Sequence, residues 1–146
     1  MLTTGLDQVD AQQAFVRARR SRRRAALGRR LRRRPAGCGR LAVYDGHSHA
    51  PVGRGLGIRA IPIEAIAGTL EPSRATMFDG SFRPAAAARP RWERVWLAEQ
   101  RGTTLPPISV VQVGDGYAVA DGHHRVSVAR ARGAIAIDAA VLGRAA

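Results

Sequence analysis

The residues best suited to chemistry sit together near the carboxyl end, as Asp121-Gly122-His123-His124-Arg125. They follow Tyr117-Ala118-Val119-Ala120, which reads as a strand, and precede Val126-Ser127-Val128-Ala129, which reads as a helix. Phosphate groups bind at such a place, between the carboxyl end of a strand and the first turn of a helix. The reason is local. The first four N–H groups of a helix lack intrahelical partners, and the helix dipole adds about half a positive charge there. Gly122 lets an anion approach the backbone, Arg125 offers a planar fork for phosphate oxygens, and His123 or His124 adds a donor. The plainer alternative is that Asp121 caps the helix and both histidines are ordinary surface residues.

Other combinations carry less. His47, His49, His123 and His124 with Cys38 can be drawn as a metal site, but histidines on glycine-rich loops read as solvated polar residues, and no metal is expected. Ser127 lies inside the helix after Arg125, where its hydroxyl is expected to bond the preceding turn. Trp92 and Trp96 at helical spacing read as core. Gly53-x-Gly55-x-Gly57 precedes a strand instead of following one, and so fails the dinucleotide fingerprint.

The elements that must position the turn are legible around it. Ile108–Val113 and Tyr117–Ala120 form a hairpin across Gly114-Asp115-Gly116. A helix over residues 122–132 ends at Gly133, and Ile135–Val141 is a last strand, placed parallel to the one before the helix by a crossover. Upstream, Arg59–Ile63 reads as a strand, Glu64–Ala67 as a helical turn, Gly68–Pro90 as loop, and Arg91–Arg101 as a helix closed by Gly102. Asp7–Arg34 is rich in good helix formers and is stopped by Pro35 and Gly37-Cys38-Gly39. Its apolar stripe of Phe15, Ala18, Ala25, Ala26, Leu27 and Leu31 is thin, so the helix is expected to stand apart from the domain.

Charge divides the chain the same way. Of 146 residues with a net charge of +13, every basic one is arginine, so a P-loop lysine, a Schiff base and a lysine general base are all excluded. The first forty residues carry +10 and the rest +3. Three parts follow: an arginine-rich helical arm over 1–40, a Gly/Pro linker over 41–57, and a domain over 58–146. Between Val16 and Arg40 no acid interrupts the arginines. Arg17, Arg19, Arg20, Arg22, Arg23, Arg24, Arg29, Arg30, Arg32, Arg33 and Arg34 are therefore the candidates for phosphate contacts to nucleic acid, electrostatic and without base reading. An anionic membrane surface is the competing partner, for which the apolar stripe is thin. A single cysteine excludes an internal disulfide, and no apolar run is long enough to span a membrane. With no secretory signal at its start, the chain is expected to be cytoplasmic. Oligomeric state is not legible.

From Arg59 to Val141 the chain resembles the ParB/sulfiredoxin-like superfamily. The resemblance rests on Ile61-Pro62-Ile63-Glu64-Ala65-Ile66, on Leu105-Pro106-Pro107-Ile108, and above all on Tyr117–Ala129 with its Asp121-Gly122-His123-His124-Arg125 turn. With Phe78-Asp79, Phe82-Arg83-Pro84 and Arg91-Trp92 it looks more narrowly like the small stand-alone ParB-like proteins of high-GC bacteria. The resemblance implies an α+β fold, a compact domain of a small mixed sheet with packed helices, here preceded by the basic helix. It also implies that Gly122, His123, His124 and Arg125, with Asp121, hold the phosphates of a nucleoside triphosphate, CTP or ATP, with Mg2+. Sulfiredoxins place a reactive cysteine after this glycine; here His123 stands there, and Cys38 lies outside the matching region. The few residues after Val141 leave no room for the helix-turn-helix with which partition proteins read a centromere. A further relative, the free serine kinases, uses a similar turn beside a catalytic acid, for which Glu64 or Glu71 is the candidate. That makes a small phosphotransferase the alternative to a nucleotide-binding protein with nonspecific nucleic-acid affinity.

Overall fold

A computed structural model describes residues 6–35, 37–45, 49–51 and 57–145, with backbone alone at 49–51. The side chains of the His47-Ser48-His49 triplet, and Gly53 and Gly55, lie outside the described residues. The architecture is α+β, a mixed sheet with packed helices and a long helix in front.

Helix α1 (Asp7–Leu31) carries Asp7 and Asp10 in its first turn and Arg29 and Arg30 in its last, the arrangement its dipole favours. The strands are β1 (Ala42–Val43), β2 (His49–Pro51), β3 (Ile58–Pro62), β4 (Ile66–Thr69), β5 (Ile108–Val113), β6 (Gly116–Asp121) and β7 (Ala136–Ala145). Three further helices are α2 (Arg74–Met77), α3 (Arg89–Gln100) and α4 (His123–Ala131). Pro90 falls in the first turn of α3, where its missing N–H costs nothing.

The sheet runs β1-β4-β6-β5-β7-β2, with β3 also on β7. The hairpin β5–β6 forms as its sequence predicts, in antiparallel register with Val110 opposite Val119. The final strand departs from expectation. It passes to the far side of β5, runs parallel to it, and is therefore antiparallel to β6. Hydropathy alone does not say which neighbour a returning strand will choose, and here β6 already has β4 on its other edge. Residues 66–69, expected as part of a helical turn and loop, are that parallel neighbour, β4. Gly68 belongs inside the strand because a Cβ there would fall 2.3 Å from the Ala42 carbonyl oxygen of β1.

The core joins both ends of the chain. Trp92, Phe78, Phe82, Val110, Val119, Val126 and Val128 are fully buried together with Ala11, Ala14 and Phe15 of α1. Phe15 meets Trp92 edge to face at 5.5 Å, and the indole N–H donates to Ser127 Oγ at 2.8 Å. That bond corrects the expected turn-bonding role of Ser127. The Phe15 contact corrects the expectation of a free-standing helix: the first half of α1 packs on α3 through small alanines around one phenylalanine. Among the described residues, no helix is long and apolar enough to cross a membrane.

Phe15→Ala removes a ring from this joint and is expected to cost about 3–5 kcal/mol in urea denaturation. A change under about 0.5 kcal/mol would mean that α1 does not contribute to the core.

Candidate functional site

Gly122 is the cap of α4, at φ 103°, and no side chain caps the helix. This corrects the expected Asp121 cap. A Cβ at position 122 would lie 2.5 Å from Ile108 Cγ2, so packing against β5 and the left-handed backbone both require glycine. The intrahelical ladder begins with the Val126 N–H donating to the Gly122 carbonyl at 3.0 Å. The amides of His123, His124 and Arg125 precede it and face the end of the helix.

Arg125 spans the turn. Its Nη1 donates to the carbonyls of Pro106 and Pro107, and its Nη2 donates to Asp121 Oδ2 at 3.0 Å. Its fork therefore ties the β5 approach to the α4 turn, while the Asp121 carboxylate stays mostly exposed.

The histidines are not surface residues; both are about 95% buried. His123 Nε2 lies 2.6 Å from Thr69 Oγ1 at the end of β4, a bond that either neutral tautomer can close. Its ring stacks on Phe78 at 6.4 Å, and His124 meets the same Phe78 ring edge-on at 5.1 Å. His124 Nε2 is buried without a hydrogen-bond partner. Burial pushes both rings down to about 4; for His123 Arg74 and Arg91 reinforce it against Asp121, and for His124 Arg91, Arg74, His123 and Arg94 do so. At neutral pH both rings are uncharged, and the positive charge at the turn comes from arginine.

Of those arginines the sequence singles out Arg125 as a ligand, but not Arg74 or Arg91. Arg74, Arg91 and Arg125 line a cleft of about 40 Å3 beside Gly122 and the two histidines. Arg74 is held by Glu71 at 3.2 Å. Arg91 is exposed and has no ion pair among the described residues. Only adjacency to Trp92 marked Arg91 in the sequence, and nothing marked Thr69. A cleft this small admits an oxyanion group, and any larger ligand must project from it.

The two candidate acids separate. Glu71 lies beside the turn: its N–H donates to Thr69 Oγ1 at 2.9 Å, and its carboxylate pairs with Arg74. Glu64 is instead 90% exposed and pairs at 3.8 Å with Arg130, at the opposite end of α4. There it borders a cavity of about 810 Å3 between α1 and the end of α4, whose Arg83, Arg130 and Arg132 already bond carbonyls, Ser21 or carboxylates. No group of three metal-ligating side chains occurs among the described residues, and Cys38 is exposed, away from the turn.

Most arm arginines lie exposed along α1 and just beyond it, including Arg17, Arg20, Arg23, Arg24, Arg30, Arg32, Arg33 and Arg34, with Arg19 half-buried. Arg22 and Arg29 instead turn toward the body. Arg22 donates to the carbonyls of Met77 at 3.3 Å and Arg83 at 3.4 Å.

No family model and no curated protein matches the chain. Among solved structures it is similar to sulfiredoxin from Arabidopsis thaliana, at 20% identity over 60% of this chain and 86% of that one, with a TM-score of 0.43.

The histidines give a pH prediction. Each ring is held near 4 when folded and titrates near 6.5 when unfolded, so the unfolded chain binds more protons between those values. Stability is full above about pH 6.5 and falls as pH drops toward 4, by on the order of a few kcal/mol for the pair. Urea midpoints taken across this range check it. His124→Gln, which removes one titrating ring, flattens the slope.

Proposed function

We propose that this chain is a ParB/sulfiredoxin-like protein that binds a nucleoside triphosphate, CTP or ATP, by its phosphates at the Gly122–Arg125 turn. Its arginine-rich helix binds nucleic acid without sequence preference. The observation that carries the nucleotide reading is the joint placement of free α4 amides, a glycine that cannot be replaced, and the exposed, unpaired Arg91 around one small cleft. The residue pattern of the turn, Asp121-Gly122-His123-His124-Arg125, supports the same reading through its resemblance to that superfamily. A Mg2+ ion would come with the nucleotide and offset phosphate charge, with Asp121 and Glu71, each paired with an arginine, as the nearby carboxylates.

Each element has a task. The α4 amides and Arg91 hold phosphate oxygens. Arg125 keeps the Pro106-Pro107 approach closed onto the turn, and Thr69 fixes the His123 ring that sets the first turn's orientation. The nucleoside projects outward from the cleft.

Calorimetry with CTP and ATP in the presence of Mg2+ tests this. Wild type binds at least one of them, and Arg91→Gln weakens it about tenfold or more, the loss of one charge-assisted contact. Arg125→Ala loses both nucleotide binding and thermal stability, because it also frees two proline carbonyls. Equal affinity in wild type and Arg91→Gln contradicts the site. For the arm, duplex DNA is retained at low salt and released steeply as salt rises, and Arg20→Gln/Arg24→Gln makes the salt dependence shallower by about two phosphate contacts. An unchanged slope contradicts that assignment.

The position of Glu71 favours one alternative, a small phosphotransferase resembling free serine kinases, with Glu71 as general base beside the donor phosphates. It requires nucleotide turnover dependent on a small hydroxyl substrate, lost by at least about a hundredfold in Glu71→Gln with nucleotide affinity intact. Absence of turnover in wild type removes it.

A further inference from the structure

The two halves of α1 face the body with opposite chemistry. The first half presents Ala11, Ala14 and Phe15, all buried. Along the same side the second half presents Arg22, Ala26 and Arg29, and with Arg30, Arg34 and Arg40 these enclose a pocket of about 280 Å3 against Ala75, Phe78 and Asp79. Five arginines thus line a space that holds a single carboxylate.

That carboxylate is already used. Asp79 is nearly fully buried; its Oδ1 accepts from the amides of Ser81 at 3.0 Å and Arg83 at 2.8 Å, and its Oδ2 faces Arg83 Nη1 at 3.5 Å. Arg22 reaches only carbonyl oxygens, and Arg29, Arg30, Arg34 and Arg40 have no ion pair among the described residues. The crowding is built into the backbone. At Gly39, φ 86°, a Cβ would fall 2.3 Å from Arg29 Cζ, so glycine opens the space into which the guanidinium inserts. Burial holds the Arg22 guanidinium below its ordinary value, with Asp79 opposing and Arg19 and Arg29 adding to the effect. Like charges brought this close repel unless an anion lies between them. In the larger cavity three of the four lining arginines, Arg83, Arg130 and Arg132, each have a carboxylate or carbonyl partner, and Arg17 alone has none among the described residues.

We infer that this pocket is an oxyanion socket taking one phosphoryl or pyrophosphoryl group, supplied by a free polyphosphate or by a nucleic-acid backbone. Arginine forks match phosphoryl oxygens two at a time, and a space of about 280 Å3 is ample for such a group. The inference rests on the arm as an anion-binding element and adds a defined seat to it. It is separate from the nucleotide turn. The two sites lie on either side of one segment, with Arg74 in the turn's cleft and Ala75, Phe78 and Asp79 in the socket.

The test uses the full chain and pyrophosphate as probe, titrated by calorimetry at low salt. Arg29→Gln/Arg40→Gln is expected to weaken binding about tenfold or more, whereas Arg101→Gln/Arg144→Gln, which removes the same charge from exposed positions off the arm, changes it less than about twofold. If the first pair misfolds by circular dichroism, Arg34→Gln/Arg40→Gln, both exposed and beyond the end of α1, serves with the same expectation. Competition with a short single-stranded oligonucleotide assigns the source. Displacement of pyrophosphate points to a backbone phosphate, and undisturbed binding points to free polyphosphate; either supports the socket. No pyrophosphate binding, or equal losses in the socket pair and the pair off the arm, overturns it. DNA retention that survives in Arg29→Gln/Arg40→Gln while pyrophosphate binding is lost leaves the general arm assignment standing.

Discussion

Two adjacent histidines in the first turn of one helix are both buried, and much of the structure is arranged to keep them so. Successive positions in a helix point about 100° apart, so His123 and His124 must meet any common neighbour at different angles. They share Phe78, one ring stacked on it and the other edge-on. Phe78 is held by the Asp79 turn, His123 by Thr69 at the end of β4, and Gly122 by close packing on Ile108. Strands β4 and β6, the hairpin and the 78–84 turn therefore converge on one helix start. Arginines around it then make any protonation of the rings costly, which leaves the turn's positive charge on groups that do not titrate near neutrality.

A second constraint is the surplus of arginine. Part of it is absorbed structurally: Arg125 ties the turn to the Pro106-Pro107 segment, Arg130 and Arg132 fasten α4 to the Ile63 and Trp96 carbonyls, and Arg22 reaches Met77 and Arg83. Arginine can do this because its fork bonds carbonyls while its stem packs on apolar surface. Among the described residues, what remains unabsorbed is densest along and just after α1, with Arg91, Arg94 and Arg144 scattered over the body. Net charge alone could not have separated these roles; position relative to carbonyl and carboxylate partners does.

The hairpin, the α4 helix, its closing Gly133 at φ 75° and the tryptophan helix were legible because each depends on local chemistry: β-branched alternation, a left-handed glycine, helical spacing. Strand β4 was not, since Ile66–Thr69 is short, and its Gly68 makes sense only beside the Ala42 carbonyl of β1. The docking of α1 was missed because alanines look neutral in a sequence until a partner helix closes on them; Phe15 and Trp92 each read as apolar packing residues, but not as a pair. Within the candidate site the turn itself was visible. Thr69 and Arg74 come from distant segments and carried no signal of their own, Phe78 was marked only by resemblance and not as a partner of the histidines, and Glu64 and Glu71, seven residues apart in sequence, lie toward opposite ends of α4.

The central claim is that phosphate is held at the start of α4. Backbone amide resonances followed by heteronuclear NMR during titration with CTP or ATP and Mg2+ test it most directly. The account predicts the largest shifts at Gly122, His123, His124 and Arg125, with Arg91 moving alongside. Shifts that leave these amides in place and gather at Arg83, Arg130 and Arg132, in the larger cavity at the other end of the helix, would contradict it.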